Sequence, residues 1–546
     1  MSLVLSLLAV IATLFAGWRA ARRLRFFLHI FQLETYKLDR YGRWLAQHLG
    51  SAVVRPSHAA GAALLGLAAA GVWGLGLGGS GVAAALLPLW ALAFISSRRY
   101  RSDQAKKPLA FTARMTRLAV ATGLVAAGPL VVGAVLGVRV GTPVGFGWYL
   151  LGFLLTDLGA PLWVALGAGL TRPIEAAIQE GFKREARRRL RERPDLSVVG
   201  VTGSYGKTST KFILAELLRQ RYSVYATPSS YNTPMGLCLA VNEHMKPEHQ
   251  VLVLEYGIRY PGDMDELCAI ARPDASVVTT VGVAHLETMG SVDAIAEEKA
   301  KLVDYTRPDG PTVLNMDDDR VDAMADRAEG TVWRISADGH PDADVSAHNI
   351  RYDTSGTSFL VRDDTGAEAT FQTRLLGVHN VTNVLLAVAV GRSMDLRLRQ
   401  MAHAAERIDP IEHRLQLRSR GEITVIDDAF NSNPVGARNA VEILGEMNGG
   451  RRVIVTPGMV ELGDRQWDEN KTLGTHIARH DLDLAVLIGE EQTAPIREGL
   501  AETDFPAERV KVFSSLFDAQ NYLDRHLEAG DVVLYENDLP DQYDVA

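Results

Sequence analysis

An apolar run, Leu196–Thr202, leads directly into Gly203, Ser204, Tyr205, Gly206, Lys207, Thr208 and Ser209, after which the pattern turns helical. A buried strand, a glycine turn and a helix start form a phosphate-binding arrangement. Gly203 and Gly206 allow backbone N–H groups to close on phosphate oxygens, and the helix N-terminus adds partial positive charge. Lys207 can reach β- and γ-oxygens, and the Thr208 hydroxyl suits Mg2+. The spacing is G-x-x-G-K-T, shorter than a Walker A loop, which would require glycine where Val201 stands. The competing reading is a glycine turn followed by an unrelated lysine.

The stretch Thr202–Lys211 resembles the ATP loop of the Mur ligases, and its T-G-S opening and Lys211 are most similar to the branch that adds D-alanyl-D-alanine to a muramoyl peptide. Further matches follow in family order across roughly residues 196–470. Glu255, at the end of the apolar run Val251–Leu254, matches the magnesium glutamate. A carboxylate at the C-terminal edge of a sheet faces the ligand crevice, although a strand-end acid is more often simply solvated. His285, within Val281–Gly290, matches a histidine that approaches a second magnesium. Ala300 and Lys301 match an Ala-Lys pair whose lysine carries a carbamate and binds the metal. Lys299 is the alternative alignment, and an ion pair of Lys301 with Glu297 or Glu298 is the alternative role.

The resemblance assigns nucleotide contacts to Asn315 and to His379, Asn380 and Asn383 in the stretch Gly377–Asn383. Asparagine amides can pair with both donor and acceptor edges of adenine, but they cap turns equally well. Arg414 and Asp427 are assigned to the nucleotide as well, and Asn232, Thr233, Asn431 and Asn433 to the other substrates. The stretch Asp427–Pro434 follows the family pattern with Phe430 in place of tyrosine, and Gly458–Gly463 follows another. The implied chemistry is amide ligation with ATP and Mg2+. A substrate carboxylate attacks the γ-phosphorus, and the resulting acyl phosphate is captured by an amine. The implied partners are ATP, a carboxylate-bearing muramoyl or other peptide, and an amino-acid or dipeptide amine. Two other readings are a poly-γ-glutamate synthase-like ligase in the membrane and a P-loop ATPase that drives transport.

Short apolar runs alternate with helical patterns after Pro194, at Leu196–Val201, Val251–Leu254, Ala275–Val281, Thr312–Leu314, Ile423–Ile426, Arg452–Thr456, Leu484–Ile488 and Asp531–Tyr535. This predicts an α/β fold with parallel sheets. Residues 194–405 are expected to form the central ATP-binding domain and 406–546 a Rossmann-like C-terminal domain. The stretch Val332–Leu375 reads as antiparallel. The family's UDP-binding N-terminal domain has no counterpart, and residues 1–180 read as an α-helical membrane domain instead.

Apolar stretches at Leu3–Trp18, Pro56–Leu77, Gly81–Ser97, Leu118–Val138 and Phe146–Leu170 are close to the roughly 20 residues that cross a bilayer. Arginine and lysine crowd the Arg98–Arg117 segment and the Lys183–Arg193 segment, whereas the Gly78–Ser80 turn carries no charge. Five spans with the N-terminus outside place every basic segment and the catalytic body in the cytoplasm, as a multi-pass protein of the inner (cytoplasmic) membrane. Asp157 falls within the last span, where a carboxylate is either functional or solvated at a helix end. The mean hydropathy of +0.02 beside 22% charged residues fits apolar residues concentrated in one region. A net charge of −8 argues against a nucleic-acid partner. Cys238 and Cys268, the two cysteines, cannot build a four-thiolate zinc site and read as reduced thiols.

Overall fold

The computed structural model describes residues 3–53, 56–75, 108–140, 144–228, 231–410, 415–429, 434–460 and 462–537. The chain divides into two units, Met1–Gly181 and Phe182–Ala546.

The first unit is helical. Its described helices include Leu3–Leu33, Pro56–Leu75, Ala113–Val140 and Val144–Leu158, and Ala160–Arg191 begins in it. Among the described residues, Ala113–Val140 is long and apolar enough to cross a membrane, and Gly147–Leu158 with Ala160–Arg191 makes a second candidate bent by 72°. The sequence predicts five spans, of which Gly81–Ser97 lies outside the described residues. The bend falls at Gly159, where a Cβ would meet the Trp163 ring at 2.6 Å and the Leu155 carbonyl at 2.7 Å, so a side chain would not fit the corner. Helix Ala113–Val140 leaves Val120, Leu124, Val131, Val132 and Val138 more than half exposed. Asp157 is not solvated: Arg19 grips it through two hydrogen bonds of 2.9 and 2.6 Å, and both residues are buried.

The second unit holds two sheets. The first contains β1 (Ser197–Thr202), β2 (Val224–Ala226), β3 (Val251–Glu255), β4 (Ala275–Val278), β5 (Thr312–Asn315), β6 (Val332–Ser336), β7 (Val345–Asp353), β8 (Gly356–Asp363) and β9 (Glu368–Thr373), in the order β2-β3-β1-β4-β5-β6-β7-β8-β9. Pairing is parallel from β2 through β7 and antiparallel from β7 to β9. The antiparallel expectation for Val332–Leu375 therefore holds for β7–β9 but not for β6, which lies parallel to β5. A short run of alternating residues does not by itself reveal its partner's direction.

The second sheet contains β10 (Gln416–Arg420), β11 (Ile423–Asp428), β12 (Arg452–Thr456), β13 (Leu484–Ile488), β14 (Val510–Phe513) and β15 (Val532–Glu536), ordered β10-β11-β15-β12-β13-β14. It is parallel except for the edge strand β10.

β1 is covered on both faces, which explains why five of its six residues are buried and its sequence is a continuous apolar run. From β1 the chain passes to β2 and β3 on one side and then to β4 on the other. Strand order reverses at β1, and this opens a crevice at the C-terminal ends of β1, β3 and β4. Val199, Val201, Val253 and Val277 pack with Ile213, Leu214 and Leu217 of helix Lys207–Leu218 in one core, so the crevice stands on a rigid base.

Candidate active site

The loop after β1 is held by its neighbours. Gly203 has φ +150° and Gly206 φ +79°. A Cβ at Gly203 would lie 1.8 Å from Thr279 Oγ1, and one at Gly206 would lie 2.6 Å from Asn383 Oδ1. Neither position admits a side chain. Ser204 donates its N–H to the Thr280 carbonyl at 2.7 Å, and the Thr279 hydroxyl donates to the Tyr205 carbonyl at 2.5 Å. Lys207 opens the helix and donates Nζ to the carbonyls of Gly203 at 2.7 Å and Ser204 at 3.2 Å. Burial holds its pKa down, and Glu255 partly opposes that. Ser209 is half-buried in the same first turn, and Tyr205 is exposed.

Glu255, at the end of β3, is 1% exposed. Its Oε2 accepts from Thr208 Oγ1 at 2.9 Å and Lys211 Nζ at 3.1 Å, and its Oε1 accepts from Asn232 Nδ2 at 2.9 Å. Lys211 is fully buried, one helical turn beyond Lys207. These contacts suit Mg2+. Oxygens on adjacent corners of an octahedron with bonds of 2.0–2.1 Å lie about 2.9 Å apart. Thr208 Oγ1 and Glu255 Oε2 stand at that separation.

A set of cationic side chains meets opposite this pair. His285 has a left-handed backbone, φ +67°, at the start of the short helix Leu286–Met289. Burial lowers its pKa first, followed by the fields of Arg259, Lys207 and Lys299, while Asp263 opposes them. The ring is therefore neutral at pH 7. Lys299 is 2% exposed, and burial followed by the Lys207 charge pushes its pKa down to about 7, against the pull of Glu298.

Lys301 does not join this set. Its Nζ lies 2.6 Å from Asp265 Oδ2 and 2.9 Å from Glu298 Oε2, and these two carboxylates raise its pKa. Residues two apart on a helix project about 200° from each other, so one of the two lysines in helix Val292–Tyr305 must face away. Lys299 takes the buried position, and Lys301, expected in the site, faces Asp265 and Glu298 instead.

The remaining expected contacts divide into two groups. Asn383 accepts from the Thr210 hydroxyl at 3.0 Å and donates to Asn380 Oδ1 at 3.2 Å, so both asparagines brace the phosphate loop through helix Val378–Ser393. His379 is exposed in that helix's first turn. Asn315 ends β5 and accepts the Asp317 N–H at 3.2 Å, the turn-capping alternative. Thr233 caps helix Pro234–Leu239 by accepting the Gly236 N–H at 3.2 Å. Asp427 belongs to the second sheet and lies 3.3 Å from Arg418. Arg414, Asn431 and Asn433 lie outside the described residues.

Sequence reasoning missed the part played by Lys211 and Arg259, and it named Lys299 as the alternative alignment to Lys301. The spacing of Lys211 from Lys207 was a signal for the first, since i,i+4 residues share a helix face.

The chain matches the Mur ligase middle domain over residues 201–391 and the Mur ligase glutamate ligase domain over residues 413–535. It is 34% identical over 358 residues to a UDP-N-acetylmuramoyl-tripeptide–D-alanyl-D-alanine ligase of Mycobacterium tuberculosis, covering 62% of this chain and 70% of that one. Identity to the Bacillus subtilis protein of the same name is 29% over 341 residues, 62% of this chain and 72% of that one. Among solved structures, MurF from Acinetobacter baumannii superposes with a TM-score of 0.58 at 25% identity, over 66% of this chain and 77% of that one. MurF ligase from Thermotoga maritima in complex with ADP gives 0.56 at 25% identity, over 66% and 80%.

Proposed function

Because the chain belongs to the Mur ligase family, whose members are ATP-dependent, ADP-forming ligases, we propose that it joins D-alanyl-D-alanine, or a dipeptide like it, to the free carboxylate of a muramoyl peptide in cell-wall synthesis. The observation that carries this reading is the pair Thr208 Oγ1 and Glu255 Oε2, set 2.9 Å apart beside a glycine loop at the reversal of strand order. The choice of amine and acceptor rests on the relatives' names.

The reaction needs positioning and charge neutralisation more than covalent help from the protein. Lys207 leaves the carbonyls of Gly203 and Ser204 for the phosphate oxygens. Lys211 holds one oxygen of Glu255 in place, and Asn232 orients the other. Thr208 and Glu255 would hold Mg2+, which would supply charge neutralisation at the transferred phosphoryl group. The acceptor carboxylate attacks the γ-phosphorus, the bond to the ADP oxygen breaks, and an acyl phosphate forms. The amine then attacks the acyl carbon, phosphate leaves, and the amine proton passes to solvent.

Lys299 is the residue we assign to the carbamate. With a pKa of about 7, a substantial share of its amine is neutral near physiological pH, and a neutral amine can attack CO2. A C–N bond forms, a proton leaves, and the buried amine becomes an anion facing the Lys207 charge. Lys301, held protonated by two carboxylates, has no free lone pair for this step.

Residues 1–181 are proposed to hold the enzyme in the cytoplasmic membrane, with the catalytic unit in the cytoplasm. The exposed apolar side chains of Ala113–Val140 and the basic segment after Phe182 support this. A reporter fused after Ala546 is expected to be active in its cytosolic form, and periplasmic activity would reject the topology. For the chemistry, ADP release is to be measured with UDP-muramoyl tripeptide, with a lipid-linked muramoyl peptide and with free amino acids, each with and without D-alanyl-D-alanine. Release that requires both a muramoyl peptide and the dipeptide supports the proposal. Release with free amino acids alone rejects it.

A further inference from the structure

The C-terminal domain carries a second group of metal-ligating side chains, away from the residues assigned to ATP. Glu442 lies on helix Pro434–Glu446, His476 on helix Gln466–Arg479, and His480 caps the second helix. Their donor atoms all lie within 4.8 Å of one another. His476 and His480 are one helical turn apart with ring centroids 4.7 Å apart. Nε2 of His476 is 3.3 Å from Glu442 Oε1. Bonds of 2.0–2.1 Å to a tetrahedral metal place neighbouring ligand atoms about 3.3–3.4 Å apart, so this side is already at the required length. The other two sides both end on His480 and are at most 4.8 Å, so rotation of the His480 ring closes them, while His476 is 13% exposed and stays fixed.

The backbone makes room for this group. A Cβ at Gly445 would lie 2.9 Å from both Cβ and Nδ1 of His480, so any larger residue there would displace the ring from the helix interface. The nearby cations are engaged elsewhere. Arg438 lies 3.4 Å from Glu469, and Arg452 donates to the carbonyls of Gly445 at 2.6 Å and Asp481 at 2.9 Å. The bland alternative is an ordinary His–Glu ion pair. Against that reading, a second imidazole, His480, brings a donor atom within 4.8 Å of both partners.

We propose that Glu442, His476 and His480 form a site for Zn2+ or a similar borderline divalent cation that clamps the two helices together. Two nitrogens and one carboxylate oxygen suit zinc far better than the all-oxygen preference of Mg2+. The fourth position is open to water. The clamp would join the C-terminal end of helix Gln466–Arg479 to helix Pro434–Glu446. His476 Nε2 also stands 3.2 Å from the Arg438 carbonyl. A metal at Nε2 would replace that contact, with the ring hydrogen carried on Nδ1.

The test uses the full chain, purified in detergent and stripped with a chelator, then dialysed against Zn2+ with Mg2+ in excess so that the ATP site is not the one read. The expected result is one tightly held zinc per chain, a rise in melting temperature with Zn2+, and d–d absorption bands of a four-coordinate site when Co2+ replaces it. His476→Ala and His480→Ala should each weaken binding by at least about tenfold and abolish the zinc-dependent melting shift. Glu442→Gln serves as a milder variant with the same expected direction should the histidine variants fold poorly. Failure of the unmodified chain to retain zinc, or equal retention by the variants, would overturn the proposal.

Discussion

Glu298 Oε2 stands 2.9 Å from Lys301 Nζ, one turn along the same helix, and Asp265 holds the other side of that ammonium. The grip on Lys301 and the burial of Lys299 give two lysines in one helix opposite chemistry. Lys299→Ala is expected to lose activity by about a hundredfold or more and to regain part of it with formate or acetate. Lys301→Ala should retain activity within about twofold and lose under about 1 kcal/mol of stability, as for a partly exposed ion pair. Steady-state rates with and without the short acids decide the matter, and acid rescue of Lys301→Ala instead would return the role to that residue.

The low affinity of Lys299 for its proton has a consequence for stability. The folded chain releases this proton at about 7, and the unfolded chain releases it near 10.5. Between these values the unfolded state binds more protons, so this contribution to stability rises with pH across the window and is lost as pH falls toward 7. Lys299→Met should therefore be more stable than the unmodified chain at pH 7, by on the order of a few kcal/mol, with the gap shrinking toward pH 10. Denaturant midpoints in bicarbonate-free buffer measure it. A gap of the same size at both pH values would show that the lysine does not titrate in this window.

Lys207→Ala removes the charge nearest the phosphate loop while leaving β1 and its core intact. A rate loss of about a thousandfold is expected with little change in the melting curve, because the two hydrogen bonds lost go to loop carbonyls rather than to core partners. Exchange of label between ADP and ATP, with the acceptor present and the amine left out, would read the first step directly. Unimpaired exchange by a folded variant would count against a role for this lysine.

Glu255→Gln leaves the fully buried Lys211 without its counter-charge. The expected loss is about 3–5 kcal/mol, together with loss of Mg2+-dependent activity. Adding Lys211→Met should recover much of the stability and none of the activity. Thermal melts of the single and double variants separate the two effects, and a double variant no more stable than Glu255→Gln would mean the pair is not coupled.

The strands that frame the crevice were legible because strands covered on both faces must be apolar throughout, as β1 and β3 are. β10 escaped detection because Gln416–Arg420 is largely polar and exposed, and β2 because Val224–Ala226 is too short to show a period. The phosphate loop was legible from local order, and Glu255 from the family pattern that it matches at a strand end. The choice between Lys299 and Lys301 was not, since it depends on the rotational setting of one helix against Asp265 and Lys207, and tertiary packing fixes that setting. The contact of Asn232 with Glu255 was equally hidden, because these residues are 23 positions apart in sequence and meet through the fold.

The ion pair between Arg19 and Asp157 joins helices Leu3–Leu33 and Val144–Leu158 across 138 residues of chain. During synthesis the guanidinium therefore emerges long before its counter-charge exists. If the first unit enters a bilayer as proposed, an arginine whose counter-charge is not yet made is drawn toward the headgroups, so the first helix would sit shallow until the later one arrives. Biogenesis of the N-terminal unit would then run in a fixed temporal order, with the late helix acting as the latch that seats the early one.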